Sequence, residues 1–216
     1  MRAILIGATG LIGKALLKEL LLDPTFTEVR VLTRRTTDVK NDKLIEELLD
    51  FDEIKTSGIV LESDVLFSTL GTTIKTAGSK ERQWEIDFDM QFNTAKIASE
   101  SGVKKLVLLS SAGANAKSKV FYSRMKGELD EAVESLNFSQ VSIIRPSMLA
   151  GNREEFRWSE KIFTPIMYAF SWIPGIRKYR PIKDNVVAKA MINASKVQQK
   201  NYAIYELQGV FDLAKS

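Results

Sequence analysis

The chain has no cysteine and no histidine among its 216 residues. Without cysteine there is no disulfide framework, no thiol nucleophile and no thiolate metal site. Without histidine it lacks the commonest general base near neutral pH and the commonest zinc ligand. Acid–base chemistry therefore falls to Tyr, Lys, Asp or Glu. Repeats, low-complexity tracts and linkers are missing too, so one domain is expected. The length allows a sizeable core, and the hydrophobic content of 44% is ordinary. A net charge of +4 is mild and the basic residues are scattered, so no nucleic-acid partner is expected. No run of residues is long and unbroken enough to span a bilayer. The first strand begins at Arg2, which leaves no room for a signal peptide and points to the cytoplasm.

What is present is concentrated near the start. Residues 3–13 read AILIGATGLIG. A β-favouring apolar run ends at Gly7, the glycines fall at Gly7, Gly10 and Gly13, and a helical stretch follows from Leu11 to Leu22. Strand, glycine turn and helix together make the context in which this spacing binds a dinucleotide. Gly7 allows the turn off the strand, Gly10 lets backbone approach a pyrophosphate, and Gly13 lets the helix pack on the sheet. The loop of Gly7, Ala8, Thr9, Gly10, Leu11, Ile12 and Gly13 is the expected phosphate cradle, with the helix N-terminus facing the anion. The alternative is a corner that uses glycine only for geometry.

Further strand and helix patterns alternate along the chain, which argues βαβ units around a parallel sheet. Strands are expected at Val29–Thr33, Asp64–Leu70, Lys105–Ser111, Gln140–Arg145 and Ala203–Leu207. Residues 43–51 fit either a short helix or a strand. Helices are expected at Lys80–Ser101, at 120–136 and at 184–198, the last with Asp184 as N-cap. The fold class is α/β, a Rossmann-type doubly wound parallel sheet with helices on both faces. The stretch 161–176 (KIFTPIMYAFSWIPGI), broken by Pro165 and Pro174, reads as part of a small substrate-side cap at about 151–182. A membrane-interface or partner-binding patch is the alternative. Phe156, Trp158, Phe163, Tyr168, Phe170 and Trp172 would wall an apolar pocket inside a basic rim.

Tyr122 and Lys126 stand four apart on a predicted helix, so phenol and ammonium share one face. A neighbouring ammonium favours phenolate, which makes Tyr122 a usable acid–base group in a chain without histidine. The alternative is a surface Tyr stacked on a Lys. Ser110 and Ser111 end a preceding strand, and such strand ends face the ligand crevice. Where a NAD site would carry an acid after the second strand, this chain has Thr33, Arg34 and Arg35. Arginine forks suit a 2′-phosphate, so NADP is expected and NAD less so; the alternative is a solvated basic turn. Leu70, Gly71 and Thr72, at the end of a strand, should run along the cofactor.

GATGLIG, LLSSAGA and YSRMK resemble the short-chain dehydrogenase/reductase superfamily. The longer strings LGTTIKTAGS, FYSRMKGELD, IIRPSMLAG and YRPIKDNVVAKAM resemble its atypical branch, most closely the Tat-interacting-protein-like oxidoreductases. The resemblance spans nearly the whole chain. It implies that Tyr122 transfers the proton, Lys126 holds the nicotinamide ribose, and Ser111, rather than Ser110, orients the substrate carbonyl. It also implies that Asp50 and Phe51 meet the adenine and that Pro146 and Met148 flank the nicotinamide, although Pro146 can equally serve only to end its strand. Ser111 and Tyr122 stand closer than is usual there, and the relay asparagine has only Asp87 and Asn93 nearby as counterparts. The implied function is NADP-dependent hydride transfer to or from a small apolar carbonyl or alcohol, by a monomer or homodimer. An NADPH-binding regulatory or interaction protein is the second reading. A sugar-nucleotide epimerase ranks third, because little chain follows Pro146.

Overall fold

In the computed structural model, residues 1–56, 58–150, 179–197 and 199–216 are described. Seven parallel strands form one sheet. They are β1 (Arg2–Ile6), β2 (Glu28–Thr33), β3 (Leu44–Leu48), β4 (Val65–Ser68), β5 (Lys105–Leu109), β6 (Gln140–Arg145) and the last strand of the chain, β9 (Tyr202–Glu206). Their spatial order is β3-β2-β1-β4-β5-β6-β9. The order reverses between β1 and β4, and the crevice outside the carboxyl ends of strands at such a point is where these sheets receive ligands. A separate pair, β7 (Leu149–Ala150) and β8 (Ile182–Lys183), is also parallel.

The inner strands are apolar on both faces because both faces are covered. Along β1, Ala3 and Leu5 enter one core while Ile4 and Ile6 enter the other, as the two-residue period of a strand requires. The first core lies under α1 (Leu11–Leu22), α6 (Asp184–Val197) and α7 (Gln208–Leu213). The second lies under α4 (Met90–Glu100) and α5 (Phe121–Glu134). Phe67 of β4 meets Phe26 edge-on in the first core, with ring centroids 6.1 Å apart.

Several expected elements change on inspection. Residues 44–48 form an edge strand, pairing Leu44–Leu48 with Val29–Thr33; an outer position tolerates the charges of Glu46 and Glu47. The helix expected over Lys80–Ser101 is divided into α3 (Lys80–Trp84), a π-helical turn (Glu85–Asp89) and α4. Before it lies the short helix α2 (Ile74–Ala77). Asp184 is the first residue of α6 and not its N-cap, its carboxylate accepting from the Asn185 N–H at 2.8 Å. The aromatic stretch at 156–178 and most of the expected cap lie outside the described residues.

Candidate functional site

The glycine turn is built by backbone contact. Gly7 has φ +83°, and a Cβ there would stand 2.6 Å from the Thr69 carbonyl carbon. A Cβ on Gly13 would stand 2.0 Å from the Gly7 oxygen. Both positions admit only glycine, so β1, β4 and α1 meet without side chains between them. The turn is closed by the Gly10 N–H donating to the Gly7 oxygen at 3.0 Å. Gly10 caps α1 with no side-chain hydrogen bond, and the first turn of the helix carries no acid. The first-turn N–H groups of this twelve-residue helix therefore have no side-chain acceptor, and Gly10, Leu11 and Ile12 line the crevice. This is the arrangement that receives a phosphate, so the residues fit a dinucleotide.

A crevice of about 320 Å³ lies beside this turn. Gly10, Leu11, Ile12, Leu70, Gly71, Thr72, Ser111, Tyr122, Lys126, Pro146 and Met148 all line it, with Ser110 and Ser147. Residues drawn from five separate parts of the sequence thus converge on one space. Tyr122 is partly exposed and Lys126 is buried, so the helix offers the phenol toward the opening and the ammonium deeper in. The two serines differ. Ser110 Oγ donates to the Asp130 carboxylate at 2.9 Å. Among the described residues Ser111 Oγ reaches only its neighbour's carbonyl, Ala112 O, at 3.4 Å, and Ser111 lines the crevice.

Other expected residues fall elsewhere. Ala8, Thr9 and Arg35 line a second groove of about 730 Å³ with Lys14 and Lys18, between α1 and the segment after β2. Thr33 is buried at the end of β2, its hydroxyl donating to the Arg35 carbonyl at 2.7 Å. Arg34 is exposed, and its charge acts on Asp52. Asp50 accepts from the Asp52 N–H at 3.0 Å, while Phe51 is buried in the second core with Ile54 and Leu61. Neither Asp50 nor Phe51 lines the crevice.

The crevice also depends on supports that sequence reasoning missed, Gln83 and Gly127, and on Asp87, which the sequence offers only as a counterpart of the relay asparagine. Asp87, buried on the π-helical turn, accepts from the Thr72 N–H at 2.7 Å, and Gln83 donates to the Thr72 carbonyl at 3.0 Å. Together they hold the strand-end segment that forms one wall. Gly127 lets the loop after Ser111 lie on α5, since a Cβ there would stand 2.2 Å from the Ala116 nitrogen. The same loop is tied to α5 by the Asn115 N–H donating to the Ser123 carbonyl at 2.9 Å. It is tied to the outer strand β9 by the Gly113 N–H donating to Glu206 at 3.0 Å. The YSRMKGELD string carried a signal for Gly127, a glycine inside a helix.

Comparison with known proteins brings the decisive observation: a family model described as NAD(P)H-binding matches residues 7–158, which include the glycine turn, both serines, Tyr122 and Lys126. The chain belongs to this NAD(P)H-binding family. Protein fmp52, mitochondrial, of Emericella nidulans is 34% identical over 198 residues, covering 88% of this chain and 85% of that protein. Among solved structures, MoeE5 in complex with UDP-glucose and NAD superposes with a TM-score of 0.69 at 13% identity, over 99% of this chain and 81% of that one. Human epimerase family protein SDR39U1 with NADPH gives 0.62 at 16% identity, over 95% and 73%. These two likenesses are of fold. The expected cytoplasmic location is corrected by the fungal relatives, which are named mitochondrial. The expectation had rested on the absence of an N-terminal signal peptide, and organelle addresses are read by receptors, so that absence does not exclude them. Among the described residues no helix is long and apolar enough to cross a membrane, and no cluster of acidic residues could hold a metal ion.

Proposed function

We propose that the protein is an NADP-dependent oxidoreductase of the short-chain type, acting on a small apolar carbonyl or alcohol. The observation that supports this most is the convergence of Ser111, Tyr122 and Lys126 on one crevice beside the open N-terminus of α1. A bound nicotinamide cofactor supplies the hydride chemistry. Tyr122 Oη gives a proton to the nascent alkoxide, or takes one from the alcohol. The Lys126 ammonium steadies the phenolate that results and binds the nicotinamide ribose. Ser111 Oγ donates to the substrate oxygen. Arg34 and Arg35 select the 2′-phosphate, and the relatives' label makes the mitochondrion the proposed compartment. The resemblance of LGTTIKTAGS, FYSRMKGELD, IIRPSMLAG and YRPIKDNVVAKAM to the Tat-interacting-protein-like oxidoreductases supports the same reading.

The test is NADPH oxidation across a panel of aldehydes, ketones and quinones. Tyr122→Phe should reduce the rate by about 10²-fold or more, the scale of a lost acid–base group, and leave NADPH affinity nearly unchanged. Tight NADPH binding without turnover on any panel member would favour a regulatory, cofactor-sensing protein instead.

A further inference from the structure

Asp130 lies on α5 eight residues after Tyr122 and four after Lys126, so the three share one helix face. It is 1% exposed, and Lys126 is 3% exposed. A carboxylate so deeply buried needs partners. Its Oδ2 accepts two hydrogen bonds, from Ser110 Oγ and from Arg145 Nε, each at 2.9 Å, and Arg145 Nη2 pairs with the same oxygen at 2.9 Å. Its Oδ1 is buried with no hydrogen-bond partner. The Lys126 ammonium acts on it through space, without a direct bond.

The partners are placed tellingly. Ser110 adjoins Ser111 at the end of β5, and Arg145 adjoins Pro146 at the end of β6. One carboxylate therefore gathers the helix that carries Tyr122 and Lys126 and the two strand ends that form the opposite wall. The local charge is two cations to one anion. Its reach is seen at Tyr202 on β9, whose phenol is pushed up to about 12 by burial and next by the charge of Asp130.

We propose that Asp130 is a positioning residue: it supplies the counter-charge that holds the Lys126 ammonium at the crevice and locks the helix to the ends of β5 and β6. It rests on the reading of Tyr122 and Lys126 as a cofactor-side pair. It acts through Lys126 and Ser110 and does not itself touch substrate.

Binding measurements separate this from a merely structural role. NADPH carries both an adenosine half and a nicotinamide ribose, whereas adenosine 2′,5′-bisphosphate carries the adenosine half alone and has no nicotinamide ribose for Lys126 to hold. By titration calorimetry, Asp130→Asn should weaken NADPH at least fivefold and leave the bisphosphate within twofold. Asp130→Glu, which keeps the charge, should recover most of the loss. Asp130→Asn strands the partly buried Arg145, so the double variant Asp130→Asn with Arg145→Met is the partner measurement if the single one does not fold. It should fold and still bind NADPH weakly. Equal losses for both ligands, or NADPH binding equal to or tighter than native, would overturn the inference. Absence of turnover in the native protein counts against the oxidoreductase reading alone.

Discussion

At the residue scale, Gly127 and Gly10 make an instructive pair. Both look like flexible positions in the sequence, yet a Cβ on Gly10 would stand 3.3 Å from the Gly7 oxygen, a contact a small shift relieves. On Gly127 it would meet the backbone of Asn115 and Ala116 at 2.2–2.6 Å. Gly127→Ala should therefore cost about 1–3 kcal/mol through overpacking, read by denaturant unfolding. It should also displace the loop after Ser111, so that oxidation of NADPH falls more than the affinity for NADPH does. An unchanged rate would show that the loop does not set the crevice. Asp87→Ala should cost about 1 kcal/mol by the same unfolding measurement, because the half-buried Thr72 N–H loses its acceptor. The chemistry-bearing residues were legible because they come as short strings with fixed spacing. Their supports were not, since Asp87, Asp130 and Gly127 acquire a role only when distant segments close on them.

At the element scale, the division of the 80–100 helix illustrates why pattern reading stops short. Its apolar spacing is helical throughout, and a π-helical turn changes the facing of residues without changing that spacing much. The turn sits where Asp87 reaches Thr72, next to the crevice. Just ahead of it, Arg82 forks onto Asp52 with two 2.9 Å bonds, tying the segment after β3 to α3. The bond to Arg82 holds the Asp52 carboxyl below its ordinary value, burial opposing it weakly. A carboxyl lowered on folding stabilises at pH above its unfolded value near 3.8, and that contribution disappears as pH falls through the lowered value. Asp130 has the opposite sign: burial raises it, so its ionisation costs stability as pH rises. Asp52→Asn should accordingly flatten the acid limb of the stability curve by less than about 1 kcal/mol, because the pair is half exposed. A loss larger than that in acid melts would mean that the fork carries more than an exposed pair should. The edge strand β3 was ambiguous in the sequence for a related reason: the run LIEEL has neither the clean alternation nor the continuous apolarity that names a strand, and only pairing with β2 decides it.

At the scale of the whole molecule, the doubly wound sheet was legible because each inner strand is a nearly continuous apolar run followed by a helix. Burial makes that core unforgiving. Phe67→Ala should cost about 3–5 kcal/mol, which lowers the melting temperature by roughly 6–20 °C for a chain of this size. A ligand that binds only the folded state works the other way. NADPH at about one hundred times its Kd should add about 2.7 kcal/mol and raise the melting temperature by roughly 5–11 °C. NADH at the same concentration should do clearly less if Arg34 and Arg35 select the 2′-phosphate. Equal shifts in a thermal melt would remove that selection.

The first core joins the two extremes of the chain. Leu16 and Leu20 of α1 share it with Ala188, Met191 and Ile192 of α6, and Lys196 closes the same seam by pairing with Asp23. During synthesis the leucines of α1 leave the ribosome long before their cover exists. The chain must therefore spend most of its production time with an unsealed apolar helix, and sealing waits for the last elements to emerge. Such long-range closure makes for slow folding and a prolonged dependence on chaperones.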